Sequence, residues 1–202
     1  MLEPAEDFRS LETVMKPDPR MEGFSIFDEI ENGFRTITIS DQFNSLENLK
    51  LHNAVPEHIR IHFATAKNLL LYSWYVYRFI PVAEMHAYST VEMALKDISG
   101  KKRCGLRKLL EHAVENKLIS DKGFRIHREL ELRNKRGIAA IREIEGPDDT
   151  PEEEKERRKY VEILLEVMPK LRNAYAHGSK TIHPNGFLTL EICSEKLNQL
   201  YD

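Results

Sequence analysis

From Pro56 onward the chain keeps a helical rhythm. Across residues 55–80 the apolar positions Ile59, Phe63, Ala66, Leu70, Trp74 and Tyr77 recur every three or four residues, which lays one stripe along an α-helix. Pro81, which has no amide hydrogen, is expected to end or kink that helix. A second helix follows through AEMHAYSTVEMALKDI and stops at Ser99-Gly100. CGLRKLLEHAVENKL reads as a shorter amphipathic helix, with Leu106, Leu109, Leu110, Ala113, Val114 and Leu118 on its apolar side. GFRIHRELELRNKRGIAAIREIE reads as a long charged helix ended by Gly146-Pro147. Next comes a start signal, with Thr150 as N-cap, Pro151 at the first helical position and Glu153 closing a capping box. The helix it opens carries Tyr160, Ile163, Leu164 and Val167, and Pro169 is expected to bend or restart it. HPNG is a turn, and FLTLEICSEKLNQLYD is a final helix or a short strand followed by one.

The first 50 residues lack this rhythm. In ENGFRTITIS, Phe34, Thr36 and Thr38 alternate with Arg35, Ile37 and Ile39, the period of a short strand. The rest reads as an irregular cover with two short helices. The expected architecture is therefore all-α, a helical bundle of about five helices over residues 51–202, behind an N-terminal extension over residues 1–50.

Composition narrows the classes. A chain of 202 residues is long enough for one full core, or one core and a small extension. A net charge of −3 argues against a surface that grips duplex nucleic acid everywhere, but it permits a local patch. The two cysteines, Cys104 and Cys193, cannot build a disulfide framework or a four-cysteine zinc site, and they read as buried thiols of a reducing compartment. The N-terminal MLEPAEDFRSLETV has acidic residues and no long apolar run, so no signal peptide is expected. The longest apolar stretch, NLLLYSWYVYRFIPVA, is interrupted by Arg78 and Pro81 and is too short for a membrane span. These features predict a soluble, cytoplasmic protein with no membrane contact.

The chemistry-bearing stretch is LRNAYAHGSKT, Leu171 to Thr181. A helix end accounts for part of it, because a C′ glycine supplies positive φ and cations suit the negative end of the helix dipole. The residue types also suit phosphate chemistry. Arg172 offers a rigid fork of donors for two phosphate oxygens. Histidine as a residue type titrates near neutral pH, so an imidazole at position 177 can take or give a proton. Asn173 stands four residues before His177, on the same helical face, and can both donate and accept.

RNAYAHG at the end of a bundle's penultimate helix resembles the Arg–polar–x3–His motif of the HEPN superfamily. STVEMALKDI followed by GLRKLLEHAVENKLI is similar to the middle helices of those families, and FLTLEICSEKLNQLYD to their closing helix. The similarity spans residues 56–202, with the charged region 121–158 as an insertion or extended hairpin. It implies a helical fold that forms a homodimer, with two motif helices facing each other, and a metal-independent endoribonuclease in a toxin, phage-defence or RNA-processing role. It implies no cofactor, an RNA substrate, and an antitoxin or other partner protein in some settings. His177 would transfer protons at the ribose 2′-hydroxyl or the leaving oxygen, Arg172 would stabilise the crowded phosphate, and Asn173 would orient the site. The products would be a 2′,3′-cyclic phosphate and a 5′-hydroxyl. Glu92 matches the acidic position of the preceding helix and would support Arg172. Other members have lost activity and bind RNA or act as adaptors. One departure is Ser179, two residues after the histidine, where members silenced by nucleotide transfer carry tyrosine.

The remaining features are weaker. Between Lys101 and Arg142, Lys and Arg outnumber Asp and Glu, and Lys101, Lys102, Arg103, Arg107 and Lys108 could track an RNA backbone. A solvated helix face paired with the acidic PEEEKE explains the same run. His58 and His62 have metal-ligand spacing but no carboxylate or cysteine at ligand spacing, which favours a structural role. Arg133-Asn134 repeats part of the motif without a following histidine. Tyr72, Trp74, Tyr75, Tyr77 and Phe79 read as core and dimer surface.

Overall fold

The computed structural model describes residues 7–130, 132, 159–178 and 184–202, and these build an all-α bundle with one small hairpin. The six helices named here are α1 (Ile39–Glu47), α2 (Glu57–Tyr72), α3 (Phe79–Ser99), α4 (Leu106–Glu115), α5 (Tyr160–Ala176) and α6 (Gly186–Leu200). Residues 125–130 are also helical. Thr150, Pro151 and Glu153, and the end of the charged helix at Gly146-Pro147, lie outside the described residues. Among the described residues no helix is long and apolar enough to cross a membrane.

α3 is the centre, packed against α2, α4, α5 and α6. It buries Ile80, Ala83, Ala87, Tyr88, Val91, Ala94 and Leu95, and three fully buried alanines let neighbouring backbones come close. Gly100, at φ 67°, ends it. That left-handed position is the one a C-terminal glycine takes without a Cβ clash. Gly186 permits another close approach, because a Cβ there would lie 2.8 Å from Leu70 and 2.9 Å from Ile80.

The first helix ends earlier than its apolar rhythm suggests. All six predicted stripe residues are buried, but α2 stops at Tyr72, and Trp74 and Tyr77 belong to a turn before α3. Pro81 neither ends nor kinks α2; it lies in the first turn of α3, where a missing amide costs no helical hydrogen bond. The turn's freed backbone groups find partners in the N-terminal segment. Asp18, fully buried, donates its amide to the Trp74 carbonyl at 2.8 Å and accepts from the Tyr77 amide at 3.2 Å. Arg20 closes on the same carboxylate at 2.8 Å through two nitrogens, and Arg9 lies 3.6 Å from it. Burial alone would push this carboxyl's pKa up, but the Arg20 and Tyr77 hydrogen bonds outweigh it and hold the pKa low.

Residues 7–50 are more ordered than an irregular cover. β1 (Ser25–Asp28) pairs antiparallel with β2 (Gly33–Thr36), Ser25 opposite Thr36 and Asp28 opposite Gly33. The strand expected in ENGFRTITIS is β2. One short α-helix, α1, and a 3-10 turn over Pro19–Gly23 stand where two short helices were expected. Thr38 and Asp41 form the capping box of α1, and Arg35 joins Asp28 and Asp41 at 2.7 Å each. Met21, Leu46 and Leu49 enter the core.

α5 runs continuously through Pro169, so that proline does not restart it. Its core face is Val161, Leu164 and Met168, and Ile163 and Val167 of the expected stripe are left 38% and 41% exposed. Asp121 accepts from the Tyr160 and Val161 amides at 3.2 and 2.8 Å, capping α5 from a distant part of the chain. α6 is helical from Gly186 to Leu200, so FLTLEIC begins no strand. Cys193 is buried and Cys104 only half-buried. Of the aromatic cluster, Trp74 and Tyr77 are core and Tyr72 is exposed.

His62 of α2 and His86 of α3 stack with ring centroids 4.4 Å apart, and the His58 imidazole bonds Asp97 at 2.8 Å. Burial, and then the facing His62, hold the His86 pKa below its ordinary 6.5. The unfolded chain thus takes up this proton first, so stability present above that pH is lost as pH falls below it. Urea midpoints followed from neutral pH down to about pH 5 should fall more steeply in the wild type than in His86→Leu. Asp18→Ala leaves buried amides and Arg20 without their acceptor and should cost about 3 kcal/mol by urea denaturation.

Candidate functional site

Two helices position the site. α3 carries Glu92 one turn before Lys96, and α5 brings Arg172 and Asn173 to its last turn. A guanidinium nitrogen of Arg172 donates to Glu92 Oε2 at 3.3 Å, and another donates to Asn173 Oδ1 at 3.3 Å. Lys96 Nζ donates to the other Glu92 oxygen at 2.7 Å. The Glu92 side chain is 12% exposed and that of Arg172 35%, so the pair sits at the edge of the core with the guanidinium partly open to solvent.

These groups border an open cleft of about 410 Å³ lined by Glu92, Lys96, Asp97, Lys102, Arg172 and their neighbours Ser89 and Met93. Three cations, Lys96, Lys102 and Arg172, face this cleft with Glu92 and Asp97, and Glu92 anchors two of them, Lys96 and Arg172. Such a cleft suits a phosphate-bearing ligand, the guanidinium supplying paired donors.

His177 is the C-cap of α5, its amide bonded to the Asn173 carbonyl at 3.0 Å. Gly178, at φ 82°, takes the chain out of the helix. His177 and Asn173 are both exposed at the end of α5, so both side chains are open to a ligand in solution. The structure therefore joins Arg172, Asn173 and Glu92 by direct contacts, and it sets His177 one turn beyond Asn173. Ser179 lies outside the described residues.

The basic residues divide. Lys101, Lys102, Arg103, Arg107 and Lys108 are all exposed, on the α3–α4 connection and the start of α4. Lys102 faces the Arg172 cleft, and Arg107 pairs with Glu111 at 2.9 Å. Further along, Arg125 is not part of a free basic strip: Glu191 holds it by two bonds of 2.8 Å. Arg128 lies 4.0 Å from Glu195. Arg133 and Asn134 lie outside the described residues. Among the described residues no group of three or more His, Cys, Asp or Glu is arranged to hold a metal ion, and His62 is engaged with His86.

Sequence reasoning missed Lys96 and Asp97 in the cleft. Their signal was available: Lys96 stands four residues after Glu92, the spacing of a helical ion pair. No family model, curated protein or solved structure matches the chain.

Glu92→Gln removes the charge that holds Arg172 and Lys96. Because the pair is partly solvated, stability should fall by no more than about 1 kcal/mol in urea. The freed guanidinium should bind inorganic phosphate more tightly by titration calorimetry.

Proposed function

We propose that the protein is a metal-independent endoribonuclease of the HEPN kind, acting as a homodimer in a defence, toxin or RNA-processing role. The observation that carries this reading is the Glu92–Arg172 contact, which holds a guanidinium at the rim of a cationic cleft. Asn173 touches that guanidinium, and the exposed His177 follows one turn after Asn173, outside the cleft lining. In the reaction the ribose 2′-oxygen attacks the adjacent phosphorus and the 5′-oxygen leaves. The products are a 2′,3′-cyclic phosphate and a 5′-hydroxyl end. His177 moves a proton at one of those oxygens. Arg172 balances the charge that builds on the phosphoryl oxygens, the kind of fixed electrostatic stabilisation that lowers such barriers most. Asn173 orients the scissile group, and Lys102 meets the backbone of the bound strand. The second copy would bring its own Arg172 and His177 to the same strand.

A second reading is a catalytically inactive module that binds RNA or a protein partner. What favours it is that Glu92 engages both Arg172 and Lys96, which offsets part of the positive charge a phosphate would meet.

His177→Ala should lower the rate of RNA cleavage by at least about a hundredfold, with an unchanged helical spectrum and sedimentation coefficient, and EDTA should leave the wild-type rate intact. Cleavage that survives the substitution rules out the proposed role. A wild-type protein that binds RNA with a steep salt dependence and never cuts it selects the second reading.

A further inference from the structure

A second hollow shares no lining residue with the Arg172 cleft. It is a cavity of about 320 Å³ between α3, α5 and α6, at the lower end of the roughly 300–1,000 Å³ typical of small-molecule sites. Leu164, Val167, Met168, Leu171, Leu188 and Ile192 make its walls apolar. Val167 and Leu188 are 41% and 37% exposed and form its open side.

One wall residue does not fit an apolar hollow. Lys196 is 1% exposed, and its Nζ contacts the Met168 sulfur at 2.9 Å. A thioether is a weak acceptor, and among the described residues no carboxylate lies within ion-pair reach of this amine. Burial lowers its pKa to about 8, so the amine is still mostly protonated at neutral pH. A buried ammonium without an anion is costly. The void on its other side is about 10 Å³, room for one water molecule at most. A counter-ion can reach Lys196 only through the larger cavity.

We propose that this cavity binds a linear monocarboxylate of medium chain length, the carboxylate paired with Lys196 and the hydrocarbon laid against the apolar walls. Charge and shape both select that chemistry. Glu84, 2% exposed, faces the same cavity. It accepts from the Thr189 hydroxyl at 2.6 Å and is bonded by Tyr175. Its presence disfavours a second negative charge, so the ligand carries one acid group. Most of the wall is apolar, with Tyr88, Tyr175, Asn185 and Thr189 as its few polar side chains besides Glu84 and Lys196, a surface that suits a hydrocarbon chain better than a polyhydroxylated ligand. The site is independent of the nuclease reading, since none of its lining residues is among those assigned to RNA chemistry.

The test is titration of the full-length protein with sodium octanoate, followed by calorimetry and by thermal unfolding. One equivalent should bind and raise the Tm, and octan-1-ol should bind at least about tenfold more weakly. Lys196→Met should abolish octanoate binding while the ligand-free protein unfolds at the same or a higher temperature. Val167→Trp, which fills the open side and keeps Lys196, should abolish binding as well. Equal affinity for the alcohol and the acid overturns the proposal, as does unchanged octanoate binding in Lys196→Met. So does the absence of any heat or Tm shift in the wild type at millimolar octanoate. If Val167→Trp instead splits a dimer of a protein that takes up no octanoate, the cavity is a contact between copies and the proposal fails.

Discussion

The fold is organised by a helix that must be apolar on most of its sides. α3 touches four other helices, and only Val82, Asp97 and Ile98 of its residues are exposed to water. It meets the demand with Ala83, Ala87, Val91, Ala94 and Leu95, yet it also buries Glu84 and Thr90 and carries Glu92 at the core's edge. Each of these polar groups has to be answered from within. Thr90 bonds the His86 carbonyl of its own helix at 2.8 Å, Glu84 takes the Thr189 hydroxyl, and Glu92 takes Arg172 and Lys96. The polar contacts of the bundle thus radiate from one rod. The two hollows described above lie against it, one marked by Glu92 and the other by Glu84.

The N-terminal segment solves a related problem. Where α2 gives way to α3, the backbone leaves its helical pattern and exposes amides and carbonyls inside the protein. An unpaired group there costs about as much as a lost hydrogen bond. Asp18 and Arg9 reach across from the segment to answer them. Residues 7–50 are therefore bound to the bundle by specific polar contacts as well as by Met21, Leu46 and Leu49. This explains how a turn rich in tyrosine and tryptophan is kept dry.

Much of the bundle could be read from apolar spacing, and the exceptions have physical causes. The end of α3 at Gly100 and the buried faces of α2 and α4 follow the period of the chain. The end of α2 did not, because a tight turn keeps Trp74 and Tyr77 inward at nearly helical spacing. β1 was missed because SIFD is too short to display an alternation, and its pairing depends on β2. On α5 the stripe was misassigned: Val161 and Met168 take the core, and Ile163 and Val167 stay at the surface. Asp18, Glu84 and Lys196 were illegible for one shared reason. A charge inside an apolar period reads as a solvated face until its neighbours in space are known. The Glu92–Arg172 contact joins residues 80 positions apart, and only the likeness of STVEMALKDI and RNAYAHG to a known motif pointed to it.

The cap on α5 has a mechanical consequence. Asp121 holds the first two amides of a 17-residue helix, about 20 Å from the last turn at 1.5 Å per residue. Pro169 takes one rung out of that helix's ladder partway along. The far end, with its guanidinium, is steadied separately by Glu92. A rod clamped by a carboxylate at each end, with a weak rung between, can flex in the middle while both tips keep their bearings.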